Sequence, residues 1–241
     1  MPPRFYCDSL PEPSLSEASC TLDADESRHA RKVLRMAVGD RCELFDGRGV
    51  VAEAELIGFA GGLARCRVMQ IRRVEPARPR LTVASAVPKG PRAEDMVNQL
   101  GQLGVDVFVP LRSARSVVEP GAGKRTRYEL AALAAAKQAG RAAVMRIADV
   151  MNLTDLLTQA TDVGLWLDPR GEAGSRARLA DRLHTADTAT VLIGPEGGWT
   201  EAEADAARAA GYVGWKIGEH VLRIETAAVA AAAIVREMTI Q

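Results

Sequence analysis

Apolar and polar positions follow two textures along this chain. Over roughly the first 75 residues they alternate. Arg41-Cys42-Glu43-Leu44-Phe45, Val50 to Leu56 and Ala64 to Met69 each step with the period of two expected of a half-buried strand. Asp46-Gly47 and Gly61-Gly62 separate these runs, and Asp-Gly between alternating segments predicts a hairpin. Upstream, Asp25-Glu26-Ser27 are expected to cap a helix through His29, Val33 and Leu34, with Lys32 and Arg35 near its end and Gly39-Asp40 stopping it. The expectation is a small β-barrel or half-barrel carrying one helix.

The texture changes at Val74-Glu75-Pro76-Ala77-Arg78-Pro79-Arg80, where two prolines among charges read as a linker. This divides the chain into residues 1–75 and 76–241. Beyond it, short apolar runs alternate with helical patterns. Leu81 to Val87, Val105 to Leu111, Val163 to Leu167, Ala189 to Ile193 and Tyr212 to Ile217 are strand candidates. Arg92 to Leu103, Tyr128 to Ala139 and Ile224 to Met238 are helix candidates, the first two ended by Gly104 and Gly140. Such alternation predicts an α/β domain with a mostly parallel sheet covered by helices on both faces.

Composition narrows the function classes by exclusion. The 241 residues carry no uninterrupted apolar run long enough to span a membrane, and Met1 to Pro13 has no apolar core like that of a signal peptide, so a cytoplasmic protein is expected. Cys7, Cys20, Cys42 and Cys66 form no C-x-x-C pair and have no histidine at zinc-site spacing. They are expected to be reduced and packed as small hydrophobes, with no metal bound. Net charge is zero, but the charges segregate. Arg65 to Arg92 holds eight basic residues against Glu75, and Leu111 to Arg146 holds eight against Glu119 and Glu129. Asp149 to Ala210 reverses this, with eleven acids against five arginines. One basic face suited to phosphate contacts follows from that distribution, as does a merely well-solvated surface.

Two segments carry candidate chemistry. In Leu192-Ile193-Gly194-Pro195-Glu196-Gly197-Gly198-Trp199-Thr200, an apolar strand runs into a turn holding three glycines and a proline. Thr200 and Glu203 then have capping-box spacing, which predicts a helix start. A turn of this kind at the carboxyl end of a parallel strand suits a ligand, and equally suits a tight strand-to-helix connection with none. It is neither a Walker nor a dinucleotide fingerprint. The second segment, Ile217-Gly218-Glu219-His220-Val221-Leu222-Arg223-Ile224-Glu225-Thr226, leads into a helix of very small residues. That helix fits a crowded crossing, a symmetric interface, or simply alanine's helix propensity.

Together these segments resemble the 16S rRNA uridine-N3 methyltransferase family of the SPOUT class. The resemblance continues through Lys89-Gly90-Pro91-Arg92, Leu103-Gly104-Val105, Pro110 to Ser116, Ala136-Lys137-Gln138-Ala139-Gly140-Arg141 and His29 to Arg35 with Gly39-Asp40. It implies a PUA-like RNA-binding β-barrel over residues 1–75 and, over 76–241, a SPOUT α/β methyltransferase domain with a C-terminal trefoil knot. It also implies a homodimer, S-adenosylmethionine as methyl donor, and 16S rRNA of the small ribosomal subunit as partner.

By the same resemblance the donor sits against Leu167, Ile193, Gly194, Pro195, Glu196, Gly197, Gly198, Ile217, Gly218, Val221, Leu222, Arg223 and Thr226. Arg223 is the expected stabiliser of charge on the uracil oxygens. Glu196 and Glu225 are candidates for the base that takes the N3 proton, each equally readable as a helix-terminal acid. RNA contacts are expected from His29, Lys32, Arg35, Lys89, Arg92, Arg112, Arg115 and Arg141, since arginine's planar fork grips phosphate in two places. Three residues depart from the family pattern: Lys137 stands where Glu is common, His220 where Arg is common, and Ile224 where Thr is frequent. Rival readings are a related enzyme acting on a ribose 2′-hydroxyl or another base, a non-catalytic RNA-binding assembly protein, and a small-molecule phosphate binder.

Overall fold

A computed structural model describes residues 2–11, 18–116, 122–172 and 176–240. The chain divides into two compact units. One comprises Met1–Pro76 and Ala136–Val144, the other Ala77–Ala135 and Met145–Gln241.

The first unit is built on strands β1 (Arg4–Tyr6), β2 (Ser19–Thr21), β3 (Arg41–Phe45), β4 (Val50–Ala60) and β5 (Leu63–Arg73), with helix α1 (Ala24–Arg28) between β2 and β3. Strand order is β1-β3-β4-β5-β2, antiparallel except for the β1–β3 pair. The Asp46-Gly47 hairpin joins β3 to β4 as expected, with Gly47 at φ +72°. Strands β4 and β5 run longer than their alternating cores because each continues into the next turn's ladder. Cys7, just past β1, and Cys20 of β2 come together in the buried core of the sheet. All four cysteines are free and buried in the core around Phe5, Leu22, Leu44 and Leu56. Hydrogen bonding to Cys66 and Cys7, together with burial, pushes the Cys20 thiol up.

The helix start differs from expectation. Asp23, not the Asp25-Glu26-Ser27 cluster, is the cap, its side chain accepting from the Glu26 amide at 2.8 Å. Glu26 and Ser27 point inward instead: Ser27 Oγ donates to the Leu22 carbonyl and accepts from the Ala64 amide. The helix then widens at His29–Val33 into a π-helical turn, with the Leu34 amide donating to the His29 carbonyl. Arg35, at φ +52°, ends it.

The second unit is doubly layered around a parallel sheet. Its strands are β6 (Arg80–Ser85), β7 (Val107–Arg112), β8 (Arg146–Ile147), β9 (Met151–Asn152), β10 (Val163–Glu172), β11 (Thr188–Ile193) and β12 (Val213–Trp215). Its helices are α2 (Arg92–Gln102), α3 (Ala122–Gln138, whose last residues from Ala136 fall in the first unit), α4 (Leu153–Leu157), α5 (Arg176–Thr185), α6 (Glu201–Ala209) and α7 (Ile224–Glu237). The order β12-β10-β11-β6-β7-β8 is parallel throughout, and β9 extends the edge of β7. Central strands are near-continuously buried, as sheets covered on both faces require. On one face Ala84, Val109, Trp166 and Leu192 pack with Leu153 and Leu156 of α4 and Ala204 and Ala207 of α6.

Helix α7 packs against β6, β11 and α2. Its small residues Ala228, Ala231 and Ala232 are fully buried within the unit, so the crowded crossing is satisfied inside the chain. A comparable close approach occurs where Gly101 of α2 meets α3: a Cβ there would lie 2.8 Å from Ala135 Cβ. Arg236 anchors the far end of α7, donating to the carbonyls of Pro79 and Gly104 and to the Asp106 carboxylate. No helix among the described residues is long and apolar enough to cross a membrane.

Candidate functional site

The carboxyl ends of β12, β10 and β11, three neighbouring parallel strands, open onto a cavity of about 830 Å³. Open α/β sheets place ligand sites at this end of the strands, and the volume lies within the ~300–1,000 Å³ usual for small-molecule sites. Each strand contributes differently.

From β11 comes the glycine turn. Gly198 adopts φ +67° and its amide donates to the Pro195 carbonyl at 2.9 Å. Thr200 and Glu203 form the expected capping box and start α6. Gly194 is glycine for lack of room: a Cβ there would lie 2.8 Å from the Trp199 indole. That indole is buried, and its Nε1 donates to the Leu167 carbonyl of β10 at 2.9 Å. One aromatic ring therefore fixes the spacing between the ends of β10 and β11.

From β10 comes a bulge. The ladder to β12 slips between Leu167 and Glu172, both of which face Trp215, so Asp168 to Gly171 swing out of register. The buried Asp168 carboxylate accepts from the Arg170 amide at 2.8 Å and from its guanidinium. This strand is longer than the Val163–Leu167 run suggests, and the added part lines the cavity.

From β12 comes the segment between Trp215 and α7. Arg223 is the N-cap residue of α7, at φ −67° and ψ 156°, and caps nothing with its own side chain. The guanidinium is exposed on the cavity wall.

Of the residues expected to hold a donor, Leu167, Ile193, Gly194, Pro195, Glu196, Gly197, Gly198, Ile217, Gly218, Val221, Leu222 and Arg223 line this one cavity; Thr226 does not. Residues as far apart in sequence as Leu167 and Arg223 thus converge on a single wall system. The three acid and base candidates separate. Arg223 and Glu196 face the cavity, whereas Glu225 lies behind it in a 3.2 Å ion pair with Arg92. Arg92, expected on RNA, is engaged in this ion pair.

Arg115 is likewise engaged: its Nη1 donates to the carbonyls of Gly197 at 2.7 Å and Trp199 at 3.4 Å, clamping the glycine turn. Beside it, the Ala114 amide donates to Glu203 at 2.7 Å. The other RNA candidates divide between the units. His29, Lys32, Arg35 and Arg141 lie in the first, with Lys32 and Arg35 exposed and His29 edge-on to Phe5. Lys89 and Arg112 are exposed in the second.

The sequence reading passed over Arg115 as a clamp and Asp168, Arg170, Trp199 and Lys216 as cavity residues. A signal for some of them existed: Asp168-Pro169-Arg170-Gly171 follows a buried strand just as the glycine turn does. The bulge that turns those residues inward is a matter of ladder register and leaves no local trace. Among the described residues, no group of three or more His, Cys, Asp or Glu side chains is arranged to hold a metal ion.

Residues 75–236 match the model of the RNA methyltransferase domain family, and residues 22–68 match the RNA methyltransferase PUA domain. The chain is 31% identical to the ribosomal RNA small subunit methyltransferase E of Mycobacterium bovis, over 98% of its own length and 91% of that protein's. The chain belongs to this RNA methyltransferase family. The family's Bacillus subtilis enzyme of the same name is 28% identical over 93% of this chain and 92% of its own. Among solved structures, the family member from Neisseria gonorrhoeae, crystallised bound to S-adenosyl methionine, superposes with a TM-score of 0.84 at 28% identity, with 98% of each chain covered.

Proposed function

We propose that this protein transfers a methyl group from S-adenosylmethionine to N3 of a uridine in 16S ribosomal RNA. The observation that carries this reading is the cavity itself. A glycine turn crowded at Gly194 and Gly197, an apolar lining from Leu167, Ile193 and Leu222, and an Arg223 without a partner among the described residues share one wall system at the ends of three parallel strands. The N. gonorrhoeae relative's bound donor supports assigning the glycine side to S-adenosylmethionine.

The fit rests on shape and chemistry. At Gly194 and Gly197 a Cβ would run into the protein's own Trp199 and Arg115, so both stay bare and the turn borders the open space of the cavity with little side-chain bulk. Apolar residues flank that space, as a neutral adenine face requires. S-adenosylmethionine supplies an electrophilic methyl on a sulfonium, so the protein's task is alignment and charge. Uracil N3 carries a proton and becomes a good nucleophile only as that proton leaves. Arg223, exposed on the wall and free of any partner among the described residues, stabilises negative charge developing on the uracil oxygens. Glu196, also on the wall, is the better placed of the two acids to accept the proton, because Glu225 is held by Arg92.

The first unit would act as the PUA-like RNA-binding module, with His29, Lys32, Arg35 and Arg141; in the catalytic unit, Lys89 and Arg112 are exposed candidates for RNA in their own right. The chain path supports the SPOUT assignment and its trefoil knot. Strand β12 is at the sheet edge beside β10, yet α7, which follows it, packs on β11 and β6, so the connection must cross the end of β10. A homodimer, the small ribosomal subunit as substrate and a cytoplasmic location complete the reading.

The test is methyl transfer to small subunits and to naked 16S rRNA side by side, followed by mass spectrometry of the nucleosides. N3-methyluridine is the expected product. Arg223→Ala is expected to abolish transfer and to leave donor binding by calorimetry largely intact. A methylated ribose or a different base would replace the N3 assignment, and full activity of the variant would remove Arg223 from the chemistry.

A further inference from the structure

The cations around the cavity fall into two sets. Arg115 and Arg170 are spent on the fold, one on the glycine-turn carbonyls and the other on Asp168. Lys216, His220 and Arg223, all on the connection from β12 to α7, line the same cavity and form no hydrogen bond or ion pair among the described residues, and Arg223 is already assigned to the reacting base. Of the acids lining the cavity, Asp168 is bonded to Arg170, Glu201 pairs with Arg208 and Arg170, and Glu196 has no partner among the described residues. The β12–α7 connection is thus the wall where positive and donor groups lack a counterpart.

We propose that Lys216 and His220 form a backbone-phosphate site that grips the RNA strand on either side of the base entering the cavity. This rests on the RNA methyltransferase reading above. Lys216 supplies a fixed charge and His220 a ring N–H donor. Four positions apart on an irregular connection, their Cα atoms are separated by at most ~14 Å. A span of this size can be bridged by a few nucleotides of one strand. A base turned out of its stack must have its flanking backbone held while it is in the pocket, and a neighbouring cation is the direct way to do so. Such contacts position the strand without reading its sequence, which leaves base choice to the groups deeper in the cavity.

The donor's own carboxylate is an alternative anion for the same groups, and the experiment separates the two. Lys216→Ala, His220→Ala, the double variant and Lys216→Arg are compared with wild type for direct binding to 16S rRNA across a salt series, for donor binding by calorimetry, and for methyl transfer. Each alanine variant is expected to weaken RNA binding several-fold, and the double variant about tenfold or more. For Lys216→Ala the slope of log affinity against log salt is expected to flatten by about 0.7–0.9. Lys216→Arg should restore both affinity and slope. In methyl transfer the KM for RNA should rise with little change in kcat, and donor affinity should stay at the wild-type value. Unchanged RNA affinity in the double variant would overturn the proposal. So would a loss confined to donor affinity, which would assign these groups to the donor carboxylate. Wild-type protein that binds RNA but neither binds donor nor methylates would refute the enzyme reading, and the RNA-binding arm would still judge the phosphate site.

Discussion

Arg115 reaches 82 positions along the chain to donate a 2.7 Å hydrogen bond to the carbonyl of Gly197. A turn with three glycines has little side-chain mass to hold it, and Arg115 supplies the missing tether from the loop after β7. Arg115→Ala is expected to leave the fold intact and to loosen the donor site. Loss of a partly exposed, charge-assisted hydrogen bond costs about 1–1.5 kcal/mol, so donor affinity should fall roughly five- to tenfold. Calorimetry with S-adenosylmethionine beside a thermal melt checks both halves. An affinity equal to wild type would show that the turn holds its shape unaided.

Gly194 is constrained by the Trp199 indole and not by its backbone angles. Gly194→Ala forces a methyl against a ring that is buried and hydrogen-bonded, and overpacking of this kind costs about 1–3 kcal/mol. Donor binding is expected to drop more than stability does, because the strain sits in the cavity wall. Adding Trp199→Phe should recover part of the loss by removing the offending ring atoms. Gly198 makes the contrast, with open space around it but φ +67°, so alanine there is expected to cost about 1–2 kcal/mol through backbone strain alone.

Within the first unit, Lys137 Nζ lies 2.6 and 2.7 Å from the two oxygens of Glu26, whose side chain is almost wholly buried. Removing one partner of a buried pair strands the other's charge. Lys137→Met is expected to destabilise by about 3 kcal/mol, visible as a thermal midpoint lower by about 6–12 °C. Lys137→Glu, which installs the residue common in the family, should be worse because it sets two carboxylates together. Adding Glu26→Leu to Lys137→Met should regain most of the loss, and failure to do so would mean that the pair is not what the site depends on.

Asp162 accepts hydrogen bonds from the Thr188 amide and hydroxyl and from the Asp187 amide. The backbone bond from Thr188 comes first among the causes that hold its carboxyl below the usual value near 3.8. A depressed folded-state value means that this carboxylate adds stability above the unfolded value and loses it as pH falls through the folded one. Asp162→Ala should therefore be less stable than wild type at neutral pH, with the gap closing only below about pH 4. Melting curves of both proteins from pH 7 to pH 3 check it, and a gap independent of pH would contradict it.

Much of this molecule was written locally. The period-two runs, the Asp46-Gly47 hairpin, the parallel α/β alternation and the Thr200–Glu203 capping box all depend on near neighbours, and each appears in the structure at its expected place. The glycine turn and the Leu222-Arg223 segment were legible for the same reason, and they converge on one cavity. What local pattern misjudged were residues whose role is set by a distant partner. Glu26 looked like a capping acid and is instead the buried mate of Lys137, 111 positions on. Arg92 and Arg115, expected to contact RNA, also hold Glu225 and the Gly197 carbonyl, which no local pattern announces.

The amino-acid order by itself determined which segments become strands and helices and which turns lack side chains, because backbone sterics and hydrophobic period act over a few residues. Only the tertiary structure decided which charges are spent and which remain for a ligand. Ion pairing depends on distances between residues far apart in the chain, and those distances exist only once the sheet has brought β12, β10 and β11 side by side.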